Sequence, residues 1–220
     1  MVGTTSNIYA LDPNTYKTVR TNAALFTNSG ITSFGCQKMF NGGTSSSFLL
    51  MNGTLYCCSD LLDCSYGLIG CPAELKGTVT PESTCCGLED QSFIYAFCRE
   101  NGTVYAVHSI FAPQSSLSAM TGDSAPSKEF LLDKTAVAAG TMKDKKACFV
   151  VKNGSGSYWA FTVNQTNSSN ALVYELDAPD IEKAVDFEFL DNADIFYYST
   201  GESVYATILA GGTATTKQLN

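Results

Sequence analysis

Short apolar runs separated by polar turns recur along the whole chain. Five of these runs share an apolar residue, then an aromatic ring, then small or apolar residues, at 8–11, 55–58, 104–107, 158–161 and 204–207. The rings lie 47, 49, 54 and 46 residues apart. A near-constant period of this kind predicts one structural unit repeated along the chain.

The residues before these rings predict β-hairpins. Four of the ring segments follow a turn rich in Gly, Asn, Ser or Thr, and another apolar run precedes each of those turns, at 48–51, 93–97, 148–151 and 195–198. Asn-Gly tolerates the positive φ angles that a tight hairpin turn requires. An apolar run, a turn of this chemistry and a second apolar run together predict a hairpin.

Weaker strand patterns flank the hairpins. Strands are predicted after the ring segments at 15–20, 128–133, 171–176 and 213–217, and before the hairpins at 31–34, 135–139 and 184–189. In the last of these, alternation places Val185, Phe187 and Phe189 on one face of the strand and Asp186 and Glu188 on the other. The pattern therefore predicts about four strands in each unit.

Four strands in a unit of about 50 residues are typical of a β-propeller blade. The apolar middle strands agree with this, because a blade lies between two neighbours that cover both of its faces. A β-sandwich also has short strands and frequent turns, but it does not predict a regular period. We predict an all-β, β-propeller-like single domain over 1–220, with about four to five four-stranded blades at approximately 1–22, 30–75, 80–133, 134–178 and 183–220.

The two ends of the pattern leave the closure of this propeller open. The first unit begins on a ring strand with an outer strand behind it, and residues 210–220 are small and polar. A closed ring usually completes such an opening with strands from the other terminus. The sequence therefore predicts either a fragment of a larger propeller or an irregularly closed one.

Composition excludes several classes of protein. Of the 220 residues, 45% are hydrophobic and 15% are charged, which argues against disorder. Thirteen Lys and Arg against 21 Asp and Glu give a net charge of −8, which argues against binding of a nucleic-acid backbone. No run approaches the roughly 20 apolar residues of a transmembrane helix. The first residues have neither the basic nor the apolar region of a signal peptide.

Cysteine and histidine usage restricts the chemistry further. The nine cysteines include the adjacent pairs Cys57-Cys58 and Cys85-Cys86, whose side chains point to opposite faces of a strand and do not suit one zinc ion. The alternatives to zinc are small buried residues and a disulfide between the 57–71 and 85–98 regions, and an odd number of cysteines leaves at least one thiol unpaired unless it bridges to another chain. His108 is the only histidine and is expected to be a structural strand residue. We predict no catalytic, cofactor-binding or metal-binding residue.

Loops and turns supply the candidate binding residues. Three of five Asn-x-Ser/Thr sites fall at the predicted hairpin turns, where turn chemistry explains the asparagine. The carboxylates considered for paired-acid catalysis, which is the chemistry of glycoside hydrolases, are Asp60, Asp63, Asp133, Asp186 and Asp194.

Long loops on a propeller are where ligand-binding sites usually lie. The candidate ligand-binding loop residues are Asp60, Asp63, Tyr66 and Phe111.

The repeat units resemble the propeller region of the PKD-like family lipoproteins of gut Bacteroidetes. The resemblance is carried by Asn-Gly-Thr-Leu-Tyr at 52–56, Asn-Gly-Thr-Val-Tyr at 101–105, Asn-Ile-Tyr-Ala-Leu-Asp-Pro at 7–13 and Phe-Leu-Leu-Asp at 130–133. It implies a protein that is exported, lipid-anchored and exposed to the periplasm or at the cell surface. It carries no catalytic residue over to this chain.

These observations favour one function and leave two alternatives. The favoured function is a non-enzymatic, exported β-propeller binding module of a bacterial cell-surface lipoprotein, with a glycan or a protein as ligand. The first alternative is a carbohydrate-active propeller enzyme, which predicts an acidic pocket at the blade axis with two carboxyl groups about 5–10 Å apart. The second alternative is a surface spacer without binding or turnover.

Overall fold

The computed structural model describes residues 2–4, 7–21, 30–37, 46–52, 54–58, 69–70, 79–88, 92–98, 102–108, 118–119, 128–163 and 172–220. Within these ranges the chain forms nineteen β-strands and one short α-helix. The strands make five antiparallel sheets, and in each sheet the strands are neighbours in chain order. We number these sheets blades 1 to 5.

Blade 1 has three strands and the other blades have four. Blade 1 holds β1 (Val2–Gly3), β2 (Ile8–Leu11) and β3 (Thr18–Thr21). Blade 2 holds β4 (Ile31–Gln37), β5 (Ser46–Met51), β6 (Thr54–Cys58) and β7 (Ile69–Gly70). Blade 3 holds β8 (Thr84–Leu88), β9 (Ser92–Cys98), β10 (Thr103–His108) and β11 (Ser118–Ala119), and α1 (Lys128–Leu132) follows it. Blade 4 holds β12 (Thr135–Thr141), β13 (Ala147–Lys152), β14 (Tyr158–Val163) and β15 (Leu172–Leu176). Blade 5 holds β16 (Asp186–Phe189), β17 (Ile195–Ser199), β18 (Val204–Ala210) and β19 (Thr213–Gln218). Short 3-10 turns lie at Pro81–Ser83, Lys143–Lys145 and Ile181–Lys183.

The four predicted hairpins are confirmed as β5–β6, β9–β10, β13–β14 and β17–β18. Their turns use positive φ angles, with +49° at Asn52 and +62° at Gly102. In the third hairpin, the side-chain oxygen of Asn153 accepts hydrogen bonds from the amides of Ser155 and Ser157 at 3.2 and 2.9 Å. Asparagine at 52 and 153 therefore has the turn role that the sequence predicts.

Alternate residues of β13 face two different blades. Phe149 and Val151 belong to an apolar cluster that includes Phe97 of blade 3. Cys148 and Val150 belong to a second cluster that includes Phe196 of blade 5. Blade 4 is thus covered on both faces, which explains its continuously apolar middle strand. The sheets follow one another as the blades of a β-propeller, and the predicted fold class is confirmed.

The first strands of the blades lie nearest the propeller axis. β4 contacts β8, β8 contacts β12, and β12 contacts β16, so these strands stand side by side. The register of β12 shifts between Ala136 and Ala138, which marks a bulge around Val137. Residues on the first strands, and in the turns that lead into them, therefore line the axial side of the molecule.

The prediction of an outer strand at 128–133 is wrong. Residues 128–132 form α1, and the outer strand of blade 3 is β11, which pairs with β10. The helix buries Leu131 in the cluster between blades 3 and 4. Phe130 meets Trp159 edge-on, with 5.8 Å between ring centroids. These tertiary contacts override the strand preference of the apolar run.

The alternation predicted for the first strand of blade 5 is confirmed at four positions, and Val185 lies just before the strand. Phe187 and Phe189 pack against the cluster between blades 4 and 5, whereas Asp186 and Glu188 are exposed. Val185 is 72% exposed and lines a pocket together with Phe187 and Phe189.

The described thiols add little to the disulfide prediction. Cys148 is a free thiol buried in the core, and burial raises its pKa. Cys85 is buried between blades 3 and 4. The side chains of the other cysteines in the 57–71 and 85–98 regions lie outside the described part of the chain, so a disulfide there stays a prediction. His108 ends β10, a strand position as predicted.

Among the described residues, no helix has both the length and the apolar character needed to cross a membrane.

Candidate functional site

A pocket of about 320 Å³ lies on the axial side of the propeller, where blades 3, 4 and 5 meet. Its walls come from the turn before β8, from β12 and from the segment that leads into β16. The residues that give it its character are Glu82, Val137, Ala138, Asp186, Phe187 and Phe189. The volume falls within the range of small-ligand sites in proteins. We call it the axial pocket.

The floor of the axial pocket is apolar. Val137 and Ala138 come from the bulged part of β12, and Phe187 and Phe189 come from β16. The ring of Phe189 lies against the backbone of Gly140, so a Cβ atom at position 140 would lie 2.2 Å from that ring. Glycine at this position therefore lets the first strands of blades 4 and 5 approach closely.

The rim of the axial pocket carries two carboxylates. Glu82 lies in a 3-10 turn that hydrogen bonds between Thr80 and Ser83 fix. The Thr80 amide donates to Ser83 Oγ at 2.8 Å, and both the hydroxyl and the amide of Ser83 donate to the Thr80 carbonyl at 3.1 Å. Asp186 begins β16 and accepts a hydrogen bond from the Phe187 amide at 3.0 Å. Both carboxylates are exposed, and the described lining contains neither Lys nor Arg. The site therefore combines negative charge with an apolar floor.

A second groove, of about 440 Å³, lies at the hairpin end of blade 4. Asp133, Lys152, Asn153, Tyr158 and Glu182 line it. Burial, with a smaller effect of the Glu182 charge, raises the pKa of Tyr158. Because charges of both signs line this groove, it does not favour a ligand of one charge.

A stacked tyrosine pair holds the connection from blade 4 to blade 5. The rings of Tyr198 and Tyr205 lie 4.8 Å apart between centroids. The Tyr198 hydroxyl donates to the Pro179 carbonyl at 2.5 Å, and the Tyr205 hydroxyl donates to Asp180 at 3.2 Å. Burial raises the pKa of Tyr198, and the neighbouring Tyr205 adds to the shift. This connection continues directly into the wall of the axial pocket, which begins at Ala184.

Two lysines make structural contacts on blade 4. Lys146 forms an ion pair with Asp194 of blade 5 at 2.8 Å, which ties the two blades together at the end opposite the hairpins. Lys134 is buried, pairs with Asp133, and lies 4.3 and 4.6 Å from the ring centroids of Phe130 and Trp159. Such cation–ring contacts stabilise a buried ammonium group.

The predicted loop residues are not placed by the structure. They lie outside its described residues and stay predictions: Asp60, Asp63, Tyr66 and Phe111. Of the other carboxylates considered for paired catalysis, Asp186 lines the axial pocket, Asp133 lines the second groove, and Asp194 is held in its ion pair. These three side chains therefore belong to three separate places.

Glu82 is the site residue that the sequence analysis missed. It lies shortly before the first strand of its unit, and Asp186 begins the first strand of a later unit. Because the sequence analysis predicted no first strand in the unit of Glu82, the shared location of the two carboxylates near the start of a first strand was not visible from the sequence. In the described part of the chain, no three His, Cys, Asp or Glu side chains form a group suited to a metal ion.

Comparisons with known proteins identify the fold of this chain but no activity. Neither a family model nor a curated protein matches the chain. Among solved structures, the chain is similar to the dihydro-heme d1 dehydrogenase NirN in complex with DHE, at a TM-score of 0.58 and 10% identity, over 98% of this chain and 41% of that one. It is also similar to virginiamycin B lyase from Staphylococcus aureus, at a TM-score of 0.52 and 10% identity, over 88% of this chain and 57% of that one.

A third match, the WD40 domain of SCAP from fission yeast, has a TM-score of 0.43 and 14% identity, over 86% of this chain and 42% of that one, and no argument depends on it. The chain therefore spans between two fifths and three fifths of the length of the first two structures. At 10% identity, these likenesses show a shared β-propeller fold alone. The resemblance to PKD-like lipoproteins stays a prediction.

Proposed function

We propose that this chain is a non-enzymatic binding module that holds a basic peptide segment of a partner protein in the axial pocket. The observation that carries the proposal is that Glu82 and Asp186 line one pocket whose floor is apolar. A Lys or Arg side chain matches this chemistry, because it has an apolar stem and a charged end. A glycan, the other ligand class expected from the sequence, needs an exposed aromatic platform, and Phe187 and Phe189 are half-buried.

The charge of the whole protein supports a cationic partner. The net charge of −8 gives long-range attraction for a basic ligand and speeds its encounter with the pocket. Because both carboxylates are exposed, this attraction is expected to weaken as the salt concentration rises.

Titration with two matched peptides tests the proposal. The probes are acetyl-Gly-Gly-Arg-Gly-Gly-amide and the same peptide with Gln in place of Arg. Binding is followed through the backbone amide resonances of Val137, Ala138 and Phe187. We expect saturable shifts with the Arg peptide, weaker shifts with the Gln peptide, and a loss of affinity at high salt.

A pair of double variants shows whether the axial pocket is responsible. Glu82→Gln with Asp186→Asn removes both pocket charges, and Glu175→Gln with Asp177→Asn removes two exposed charges on and beside β15. We expect the first double variant to lose binding of the Arg peptide and the second to retain it. Equal binding by the two variants contradicts the proposal, and so does binding of polysaccharides without binding of the Arg peptide.

The carbohydrate-active alternative also has an observation in its favour. Two carboxylates line the axial pocket, and that alternative requires a pair of carboxylates. Glu82 and Asp186 are both exposed, whereas acid catalysis on a glycosidic bond benefits from a site that excludes water. Release of reducing sugars from a polysaccharide panel, abolished by Glu82→Gln with Asp186→Asn, would replace the binding proposal with this one.

We also propose that the protein is exported and displayed at the cell surface, on the basis of the resemblance to PKD-like lipoproteins alone. Brief protease treatment of intact cells of the source organism tests this. We expect peptides of this chain among those released. Peptides that are released only after the cells are lysed contradict a surface location.

A further inference from the structure

The rim of the axial pocket exposes apolar side chains beside its carboxylates. Val185 lies next to Asp186 and is 72% exposed, and Pro81 lies next to Glu82 and is also exposed. A single exposed apolar residue is ordinary on a protein surface. The described lining of this pocket has two, and each stands beside one of the two carboxylates that the proposed function uses. The rim therefore pairs an acidic group with an apolar group twice.

The backbone holds Val185 in its exposed position. Its amide donates to the Ser199 carbonyl of β17 at 2.8 Å, and the amide of the preceding Ala184 donates to the Ile181 carbonyl at 3.1 Å. Valine is branched at Cβ, so its side chain has few rotamers. A ligand that covers Val185 thus costs the protein little conformational entropy, and the burial of apolar surface favours the complex.

The Pro81 ring is held with similar rigidity on blade 3. Pro81 begins the 3-10 turn, and its ring fixes its own φ angle. The Thr80 carbonyl that precedes it accepts a hydrogen bond from the Thr84 hydroxyl at 3.2 Å, in addition to the bonds from Ser83. Both apolar groups of the rim are therefore presented on fixed backbone.

The two pairs of acidic and apolar residues lie on either side of β12. This strand contacts both the 3-10 turn and β16, and its residues Val137 and Ala138 form the floor between them. In an extended peptide, alternate side chains point the same way and are about 7 Å apart. A basic side chain that enters the pocket therefore shares its face of the peptide with the side chains two residues before it and two residues after it. Those two side chains extend toward the rim on opposite sides.

We propose that the axial pocket selects an extended segment of a partner protein in which apolar residues stand two positions before and two positions after an Arg or Lys. The inference rests on the proposed function and adds the sequence pattern that the site recognises. The basic group pairs with Glu82 and Asp186, and the two apolar residues cover Val185 and Pro81. Because both sides of the rim have the same chemistry, the pattern fits in either direction of the peptide chain.

Three peptides test the pattern in the wild-type protein. They are acetyl-Leu-Gly-Arg-Gly-Leu-amide, acetyl-Gly-Leu-Arg-Leu-Gly-amide, which has the same composition, and acetyl-Gly-Gly-Arg-Gly-Gly-amide. Dissociation constants are measured from the backbone amide resonances of the pocket at one salt concentration. We expect the first peptide to bind about tenfold more tightly than the third, because it buries additional apolar surface. The second peptide should bind much like the third, because its leucines point away from the rim.

A matched pair of variants assigns this preference to the rim. Val185→Thr keeps the shape of the side chain and replaces a methyl group with a hydroxyl group. The ratio of the dissociation constants of the third and first peptides should fall by about threefold in this variant. Val19→Thr is the control, because Val19 is 61% exposed on β3 of blade 1, and it should keep the wild-type ratio.

The outcomes separate this inference from the proposed function. If acetyl-Gly-Gly-Arg-Gly-Gly-amide binds and the first peptide binds no more tightly, the sequence pattern is overturned and the binding of a basic segment stands. Equal binding of the two leucine peptides overturns the spacing in the same way. Equal changes of the ratio in Val185→Thr and Val19→Thr overturn the role of the rim. If no Arg peptide binds, the proposed function and this inference both fail.

Discussion

The ring of Phe189 in blade 5 lies directly against Gly140 in blade 4, with room for no side chain between them. This contact joins the first strands of two blades and forms part of the floor of the axial pocket. The spacing of the blades and the shape of the candidate site therefore depend on the same pair of residues.

Substitution of Gly140 is expected to destabilise the protein. In Gly140→Ala, the new Cβ atom would lie 2.2 Å from the Phe189 ring, so the blades or the ring must move. Overpacking of this kind typically costs about 1–3 kcal/mol of the free energy of unfolding. Urea denaturation measures the loss. The control is Gly154→Ala, where nothing lies within 4 Å of the new Cβ atom and we expect a change within about 0.5 kcal/mol. Equal effects at the two positions contradict the packing described here.

Loss of the Tyr198 hydroxyl is expected to weaken the connection between blades 4 and 5. Tyr198→Phe removes the donor to the Pro179 carbonyl, which lies 2.5 Å away. A hydrogen bond of this type contributes about 1 kcal/mol to stability. Thermal and urea unfolding measure the change, and Tyr16→Phe, at a ring that is 78% exposed, serves as the control. A Tyr198→Phe protein as stable as the control shows that the hydroxyl does not hold the connection.

Replacement of Asn153 tests the turn role assigned to the hairpin asparagines. Asn153→Ala loses an acceptor for the amides of Ser155 and Ser157, and it should lower stability by about 1 kcal/mol. Asn153→Asp keeps a side-chain oxygen at the same place and should stay closer to the wild type. Urea denaturation measures the free energy of unfolding of both variants. If Asn153→Asp destabilises the protein as much as Asn153→Ala does, the turn role is contradicted.

Stability is expected to fall in alkaline solution. Burial raises the pKa of Cys148, Tyr158, Tyr174 and Tyr198 above their ordinary values, so these groups hold their protons longer in the folded protein than in the unfolded chain. The stabilisation is complete below the ordinary values of 9.0 for the thiol and 10.0 for the phenols, and it is lost as the pH rises past them.

Urea midpoints measured from about pH 8 to pH 11 follow this loss. The slope should be smaller in Cys148→Ala, because one of the four titrating groups is removed. The matched comparison is Gly154→Ala, which removes no titratable group and should leave the slope unchanged. A midpoint that does not change above pH 9.0 contradicts the burial of these groups.

The hairpins were predictable because their signals are local. Asn52 and Asn153 stand at turns whose geometry depends on a few neighbouring residues, and the apolar strands on both sides are long enough to be recognised. The propeller followed from the spacing of these hairpins. By contrast, β11 has two small residues, Ser118 and Ala119, with no strand preference, and α1 is fixed by the burial of Leu131 between two blades. Contacts distant in sequence decide both elements.

The axial pocket was harder to predict than the fold. Glu82 and Asp186 are far apart in the sequence and line one pocket because blades 3 and 5 flank blade 4. Their position at the axis depends on which strand of each unit is the first, and the sequence analysis identified no first strand in the unit of Glu82. The loop residues that it proposed instead remain predictions.

The most direct test of the account asks whether one strand faces two different blades. Nuclear Overhauser contacts from the methyl groups of Val150 and Val151, adjacent residues of β13, measure this in solution. Blades arranged around an axis predict contacts from Val150 to the rings of Phe196 and Tyr198 in blade 5, and from Val151 to Phe97 in blade 3. Contacts from both valines to the same sheet, or a solvent-exposed methyl group at either position, would contradict the propeller arrangement.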